Sequence, residues 1–229
     1  WSSDVNTLVK KDGKWGYINK ENQPIIEIAY EYLGNLCDGL VAVCIEGKWG
    51  YIDTAGNTVV EPVYDSAADF SNGLAVVSLS GKYGYVDTNG VLVIPCEYNE
   101  SDDFIDSIAR VKIEGKWGYI NKNGEFIIPA EYDELGRFSD ETKYENEVSR
   151  GYGLARAVIE GKEGLIDKNG NIVVPIEYEY VQSNADSNVA IVKKNGKYGI
   201  INRDGVIRLP IEYDRIYKAY SESTWYLWK

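Results

Sequence analysis

Carboxylates are the side chains with the greatest capacity for chemistry in this sequence. Aspartates recur at one position of a repeated pattern, and glutamates recur at another: Asp53, Asp87 and Asp167, then Glu97, Glu131, Glu177 and Glu212. Paired acids could hydrolyse a glycoside, and oxygen ligands could bind Ca²⁺. No Asp-x-Asp-x-Asp-Gly loop occurs, however, and asparagine replaces the aspartate in half of the repeats. We interpret these aspartates as turn residues.

Other enzymatic systems lack their usual residues. The chain contains no histidine, which removes the commonest general base and metal ligand and makes Ser-His-Asp or Cys-His catalysis impossible. The three cysteines, Cys37, Cys44 and Cys96, include no Cys-x-x-Cys pair. Their odd number favours small buried side chains over a disulfide framework. We therefore predict a protein that is not an enzyme and that uses neither a cofactor nor a metal.

The composition narrows the range of partners. The chain has 229 residues, of which 44% are hydrophobic, so it can bury a substantial core. No apolar stretch approaches the roughly 18 residues of a membrane span, and we predict no membrane insertion. The net charge of −12 repels phosphate groups, which argues against nucleic acid as a partner. The sequence starts at Trp1 without methionine, which fits a processed or excised chain; of the two compartments, an extracytoplasmic or cell-surface location is favoured over the cytoplasm.

A string of Gly-Lys-aromatic-Gly-Tyr-Ile type recurs along the whole chain. It starts at residues 13, 47, 81 and 115, and it returns in degraded form at 161 and 196. A tyrosine follows each starting glycine by seventeen positions: Tyr30, Tyr64, Tyr98, Tyr132, Tyr178 and Tyr213. Such a register predicts a single tandem array over residues 1–229, built from six repeats of about 34 residues.

The repeats resemble the WG-repeat family across essentially the whole chain. The Trp-Gly pair stands at 15–16, 49–50 and 117–118, an apolar pair before proline stands at 127–129, and Phe-Ser-x-Gly-Leu-Ala stands at 70–75. Tyr83 and Tyr198 replace the tryptophan, Glu163 removes the aromatic ring, and the first repeat lacks the proline. The resemblance implies a β-rich repeat of mostly bacterial distribution without an assigned reaction, and it supplies no catalytic residues.

Each repeat is predicted to contain three strands. A leading strand such as 40–45 ends in an X-Gly turn, where positive φ angles permit a type I′ hairpin. The motif strand, such as 48–53, follows and ends in an Asx turn. A closing strand then runs to the proline, which marks a strand end or a sheet edge. We predict an irregular crossover from there to the next repeat.

The aromatic residues of the repeat are predicted to form a core ladder between consecutive repeats. The motif aromatic and the following tyrosine are two residues apart and therefore point to one face of the strand. The glycine between them implies a close neighbour, for which an aromatic ring is the simplest candidate. The ladder comprises the six tyrosines above together with the motif aromatics Trp15, Trp49, Tyr83, Trp117 and Tyr198.

The overall architecture is predicted to be an all-β, open superhelical or solenoid-like array. Propeller blades usually need four strands in about 40–45 residues, and the repeat is shorter. Leading strands are predicted at both 5–10 and 224–228, which gives seven of them against six of each other type, and residues 221–229 would cap the array. The alternative is a closed six-bladed propeller or pinwheel.

Residues outside the regular pattern are the better candidates for binding. The fourth repeat carries an insertion at 141–152, and insertions in repeat arrays emerge as loops on one face. The candidates are the insertion residues, the glutamate that interrupts the ladder, where a groove or an exposed acidic spot could lie, and the C-terminal aromatics: Tyr144, Arg150, Tyr152, Glu163, Trp225 and Trp228.

The leading hypothesis for the function is a non-enzymatic binding or scaffold module with a protein or peptide partner. A second hypothesis is a structural subunit of a cell-surface or filamentous assembly, in which the chain associates with itself. A third is carbohydrate binding through exposed aromatic rings.

Overall fold

Regular structure in this protein consists of β-strands. The computed structural model describes residues 7–138, 153–183, 189–202, 204–218 and 225–228. Within these ranges the chain forms 25 strands and no helix, so the predicted all-β tandem architecture is confirmed. The described residues contain no helical segment of the length and apolarity that crossing a membrane requires.

The strands pair into antiparallel sheets that follow the chain order. Sheet 1 contains β1 (Thr7–Lys11), β2 (Lys14–Ile18) and β3 (Pro24–Tyr30). Sheet 2 contains β4 (Tyr32–Cys37), β5 (Leu40–Ile45), β6 (Lys48–Asp53) and β7 (Thr58–Tyr64). Sheet 3 contains β8 (Ser66–Ala67), β9 (Leu74–Leu79), β10 (Lys82–Asp87) and β11 (Leu92–Tyr98). Sheet 4 contains β12 (Glu100–Ser101), β13 (Ile108–Ile113), β14 (Lys116–Asn121) and β15 (Phe126–Tyr132).

The remaining sheets repeat this order. Sheet 5 contains β16 (Glu134–Leu135), β17 (Leu154–Ile159), β18 (Lys162–Asp167) and β19 (Ile172–Tyr178). Sheet 6 contains β20 (Tyr180–Ser183), β21 (Val189–Lys194), β22 (Lys197–Asn202) and β23 (Ile207–Tyr213). A two-stranded sheet contains β24 (Arg215–Lys218) and β25 (Trp225–Trp228). By its contacts the chain divides into an N-terminal part, Trp1–Glu114 with Tyr119–Phe126, and a C-terminal part, Gly115–Gly118 with Ile127–Lys229.

Sheets 2 to 6 each begin with a short strand that the sequence analysis missed. The stretch after the closing tyrosine, predicted as an irregular crossover, pairs with the leading strand of the next repeat, as β8 does through Ser66 opposite Ser78. Two paired residues carry no recognisable periodicity, which explains the omission. The repeat therefore holds four strands, and the argument from strand number against a propeller blade is wrong. The open array stays a prediction.

Both predicted turns are confirmed. In the hairpin between β5 and β6, Glu46 has a φ of 51° and Gly47 one of 73°, the pair of positive angles that a type I′ turn requires. After β6, Asp53 Oδ1 accepts the backbone N–H groups of Ala55 and Asn57, each at 2.8 Å. Asn121 makes the equivalent bonds through its own Oδ1. A single side-chain oxygen suffices, so asparagine and aspartate are interchangeable here.

The glycine of the motif strand lies under the backbone of the closing strand. Trp49 pairs with Tyr64 and Tyr51 with Val60, so the single residue between the two motif aromatics, Gly50, faces three residues of β7 across a bulge. A Cβ on Gly50 would lie 2.3 Å from the Val60 carbonyl oxygen. The predicted aromatic neighbour is therefore wrong, because the close contact is with backbone of the same sheet.

Proline lies inside the closing strand and does not end it. Pro95 is in the middle of β11, which continues to Tyr98. The register of β10 and β11 shifts at this point, and a bulge releases a residue from donating to the ladder. The predicted strand end is therefore wrong, whereas the predicted sheet edge is confirmed, because β11 is the outermost strand of sheet 3.

Aromatic and aliphatic side chains join sheets 2 and 3 into one core. Tyr51, Val60 and Tyr64 of sheet 2 share a buried cluster with residues of sheet 3. The Tyr51 hydroxyl donates to the Ala68 carbonyl at 2.6 Å, and its ring meets the Phe70 ring edge-on with centroids 4.8 Å apart. In sheets 5 and 6 the same motif position is aliphatic, so it contributes packing to the core clusters without this hydroxyl bond.

We expect Gly50→Ala to lower the free energy of unfolding by about 3 kcal/mol, because the added methyl group collides with a backbone carbonyl that cannot move alone. Gly47→Ala is the control, since nothing lies within 4 Å of its Cβ and only its positive φ is strained. That strain should cost about 1 kcal/mol. Urea denaturation measures both, and equal losses would contradict the close contact.

Candidate binding surface

The structure places the ladder residues in cross-strand pairs within a sheet. Trp15 faces Tyr30, Trp49 faces Tyr64, and Tyr83 faces Tyr98. In the C-terminal part, Tyr198 faces Tyr213 and Glu163 faces Tyr178. The closing tyrosines are buried in four repeats and half-buried in two: Tyr64, Tyr98, Tyr132 and Tyr178, then Tyr30 and Tyr213. The motif aromatics are half-buried at the border of the core: Trp15, Trp49, Tyr83, Trp117 and Tyr198.

Each of these pairs belongs to a longer row that crosses the sheet. We call it the end row: the residues of the short, leading, motif and closing strands that are in register with the motif aromatic. The described end rows are Tyr32, Cys44, Trp49, Tyr64 in sheet 2, Ser66, Ser78, Tyr83, Tyr98 in sheet 3, Glu134, Val158, Glu163, Tyr178 in sheet 5, and Tyr180, Lys193, Tyr198, Tyr213 in sheet 6. The combination of short- and leading-strand residues differs in every sheet, although tyrosine recurs at the short-strand position of sheets 2 and 6.

The end row of sheet 2 presents an exposed aromatic pair. Tyr32, on the short strand, is 51% exposed. Its ring lies 5.0 Å from that of Trp49, tilted by 57°. Cys44 lies between them on the leading strand and is buried. The sequence analysis did not single out Tyr32, whose only signal is a tyrosine two residues after the closing Tyr30.

Other end rows have different chemistry. In sheet 3 the Ser66 and Ser78 hydroxyl oxygens are 2.6 Å apart and share a hydrogen bond. On the short and leading strands of sheet 4, Lys112 forms an ion pair of 2.8 Å with Glu100. In sheet 6 the ammonium group of Lys193 lies 5.3 Å from the ring centroid of Tyr198, within cation–π range. One geometry thus carries a hydroxyl pair, an ion pair and a cation–π contact.

Glu163, which replaces the motif aromatic in sheet 5, is held by two groups. Its carboxylate accepts the Arg156 guanidinium at 2.6 Å and the Val181 backbone N–H at 2.8 Å. The arginine also contacts Glu134 at 2.8 Å. The hydrogen bond from Arg156 lowers the pKa of the Glu163 carboxyl. The side chain is 12% exposed, so the predicted exposed acidic spot is wrong: this carboxylate replaces ring packing with an ion pair.

A further acid, the residue after the closing tyrosine, connects consecutive repeats. Asp65 accepts the Lys48 ammonium at 2.6 Å and the Ser80 backbone N–H of the next hairpin at 2.7 Å. Both hydrogen bonds lower the pKa of the Asp65 carboxyl, and the bond from Lys48 has the larger effect. Asp133 makes the same two contacts in the C-terminal part, to Lys116 and to the Glu160 N–H. The sequence analysis did not single out Asp65, whose partners are seventeen and fifteen positions away along the chain.

The recurring glutamates of the closing strands do not form a common site. Glu97, Glu131 and Glu212 are exposed on separate closing strands, and Glu177 pairs with Lys194 at 2.8 Å. Across the described ranges, no three acidic or cysteine side chains cluster closely enough to hold a metal ion. Three predicted residues lie outside the described ones: Tyr144, Arg150 and Tyr152. The C-terminal pair is placed by its backbone at the two ends of β25, opposite β24: Trp225 and Trp228.

The tandem sheets and their end rows define a repeat β-protein. The chain belongs to the WG containing repeat family, whose model matches residues 15–49, 49–83, 83–117, 117–142, 164–198 and 198–223. This membership accounts for the recurring turns, motif strand and closing tyrosine.

More distant similarities exist among solved structures, whereas no curated protein matches the sequence. Hsv2 of Kluyvelomyces marxianus is 9% identical with a TM-score of 0.41, over 86% of this chain and 72% of that one. Hsv2 of Kluyveromyces lactis is 8% identical with a TM-score of 0.38, over 87% and 71%. AztD of Citrobacter koseri is 13% identical with a TM-score of 0.35, over 97% and 80%. Similarities at this level do not bear on function.

We expect Asp65→Asn to be less stable than the wild type at neutral pH, with a difference that shrinks below about pH 4. Folding lowers the pKa of this carboxyl, so its ionised form stabilises the fold above its ordinary pKa, and the contribution is lost as the pH falls through the folded pKa. Asparagine can still accept the hairpin N–H, as Asn99 does from Glu114.

The measurement is the urea midpoint of both proteins at a series of pH values. Asn99→Asp is the matched control, because it makes the reverse change one repeat further along and should gain stability at neutral pH. A deficit of Asp65→Asn that is the same at every pH would contradict the charged contact with Lys48.

Proposed function

We propose that this protein is a non-enzymatic binding or scaffold module that recognises a protein or peptide partner through its end rows. The observation that carries the proposal is the contrast within each repeat. The turns, the motif glycine and the closing tyrosine recur and form what we call the frame, whereas the combination of short- and leading-strand residues in the end row differs from sheet to sheet. Repeat proteins build extended recognition surfaces in this way, with a recurring frame that carries different side chains at equivalent positions of successive repeats.

The aromatic pair of sheet 2 is the strongest anchor in this surface. Tyrosine and tryptophan are enriched at binding hot spots, because they offer large, rigid rings with a polar end. Tyr32 is about half exposed, and neither of the described core clusters to which sheet 2 contributes includes it. The frame therefore does not require this ring, which leaves it available for a partner.

Two other functions have support from particular residues. The same aromatic pair could stack on a sugar ring, which favours carbohydrate binding as the second candidate. Exposed apolar residues at the start of several closing strands, or directly before it, support self-association in a larger assembly, since sheet edges invite pairing. These residues are Val91, Leu92, Val93, Phe126, Ile127, Ile172, Val206 and Ile207.

Tyr32→Ser should reduce capture of a protein partner about tenfold, because it removes a hot-spot ring without opening the core. Leu36→Ser is the control, since Leu36 is exposed on the same short strand and outside the end row. Cross-linking and pull-down with the full chain measure capture, with and without residues 141–152. Equal capture by the wild type and Tyr32→Ser would contradict recognition through the end row.

The same preparations separate the alternatives. Tryptophan fluorescence that changes on a glycan panel, together with no captured protein, would favour the carbohydrate candidate. Light scattering that rises with protein concentration would favour self-assembly.

A further inference from the structure

The closing strand of sheet 1 borders an open cleft of about 760 Å³. Ile25, Ile28 and Ala29 of β3 provide its apolar wall. Four charged side chains line it as well: Lys11 and Lys14 on either side of the first hairpin turn, together with Asp12 and Glu27. The cleft lies wholly within the N-terminal part and therefore belongs to a single packed body.

The edge of β3 is free of the proline that marks the other closing strands. Tyr17 pairs with Ile26 just as Tyr51 pairs with Val60, so Ile28 corresponds to Pro62 of sheet 2. The other four closing strands carry proline one position earlier, where β3 has Glu27: Pro95, Pro129, Pro175 and Pro210. Proline on an edge strand removes a donor and discourages pairing with another strand.

Backbone donors are consequently present along the whole bulge of β3. From Ile25 to Tyr30 every residue carries an N–H group. Among the described strands, β3 is the outermost of its sheet and pairs only with β2. The cleft thus runs beside β3, which is the one closing strand without a proline between its buried aliphatic residue, Ile26, and its tyrosine, Tyr30.

One charged side chain of the cleft, Lys14, is only loosely paired. Lys14 lies 3.6 Å from Glu31, whereas the equivalent pairs of other repeats are much closer, with Lys48 at 2.6 Å from Asp65 and Lys197 at 2.5 Å from Asp214. A lysine at 3.6 Å loses little if it turns to another carboxylate, because an exposed ion pair contributes little to stability.

We propose that the cleft along β3 binds an extended aliphatic peptide with carboxylates at one end, which adds to sheet 1 as a further strand. Main-chain hydrogen bonds to β3 supply affinity, and alternate side chains supply specificity, as in other cases of β-strand addition. Aliphatic side chains of the peptide pack on Ile25 and Ile28, and a carboxylate meets Lys11 and Lys14. The proposal rests on the proposed function in that the ligand is a peptide, but it uses a surface different from the end rows.

Fluorescence polarisation of a labelled peptide with the full chain tests the proposal. The probe is an eight-residue peptide that alternates threonine and valine and ends in two glutamates. Its control is the same peptide with alternate backbone nitrogens methylated, which removes the donors of one edge. We expect the methylated peptide to bind at least about tenfold more weakly, since it loses several main-chain hydrogen bonds.

Variants of the protein give a second, independent comparison. Ile28→Pro copies the proline of sheet 2 and should weaken binding of the probe about tenfold, whereas Ile28→Val keeps the N–H group and should change it less than about twofold. Lys14→Glu leaves the backbone unchanged and should weaken binding about tenfold by charge reversal. It serves as the test if Ile28→Pro does not fold.

No binding of the probe, equal binding of the methylated peptide, or wild-type affinity in folded Ile28→Pro or in Lys14→Glu would each overturn the proposal. Tyr32→Ser separates it from the end-row proposal, because that variant should bind the probe with wild-type affinity. Probe binding that depends on β3, together with protein capture unaffected by Tyr32→Ser, would uphold the cleft and refute the end rows.

Discussion

In each of the six repeats the closing strand folds its backbone over the motif glycine, and the rest of the sheet depends on that contact. A Cβ at this position would lie between 2.3 and 2.8 Å from the nearest atom of the closing strand in every repeat, a distance that only glycine tolerates. The contact allows the single motif glycine to face three residues of the closing strand, as Gly50 faces residues 61–63 in sheet 2. The bulge brings the closing tyrosine opposite the motif aromatic. It also places the following acid beside the hairpin lysine, as for Asp65 and Lys48.

Contacts between neighbouring sheets rely on the same frame. Between sheets 2 and 3, the Tyr51 hydroxyl reaches the next short-strand segment. Gly90 of the following turn lies against the Val59 carbonyl, so close that a Cβ would be 2.5 Å away. In the C-terminal part, Gly205 packs in the same way on Val173. These contacts involve backbone and core side chains, which leaves the short- and leading-strand positions of the end rows free to vary.

Local chemistry explains what the sequence could predict. The hairpin at Gly47 and the Asx turn at Asp53 follow from the conformational freedom of glycine and the reach of one side-chain oxygen, and both lie within a few residues. The short strands are only two residues long in three sheets, too short for any periodicity. The bulge over Gly50 depends on a register shift, and the pairing of Arg156 with Glu163 depends on sheet formation, so neither has a signal in the repeat itself. The exposed ring of Tyr32 was missed for the same reason, because its row exists only once the short strand has paired.

The central claim is that the frame keeps its stability when the side chains at the short-, leading- and motif-strand positions of an end row are exchanged. A transplanted row tests this claim most directly. The triple variant Ser66→Tyr, Ser78→Cys, Tyr83→Trp gives sheet 3 the end row of sheet 2 while leaving Gly84 and Tyr98 in place. The measurement is the midpoint of urea denaturation. The account predicts a midpoint close to that of the wild type, because the same three side chains already occupy these positions in sheet 2. Loss of cooperative unfolding, or a midpoint lowered as far as that of Gly50→Ala, would contradict it.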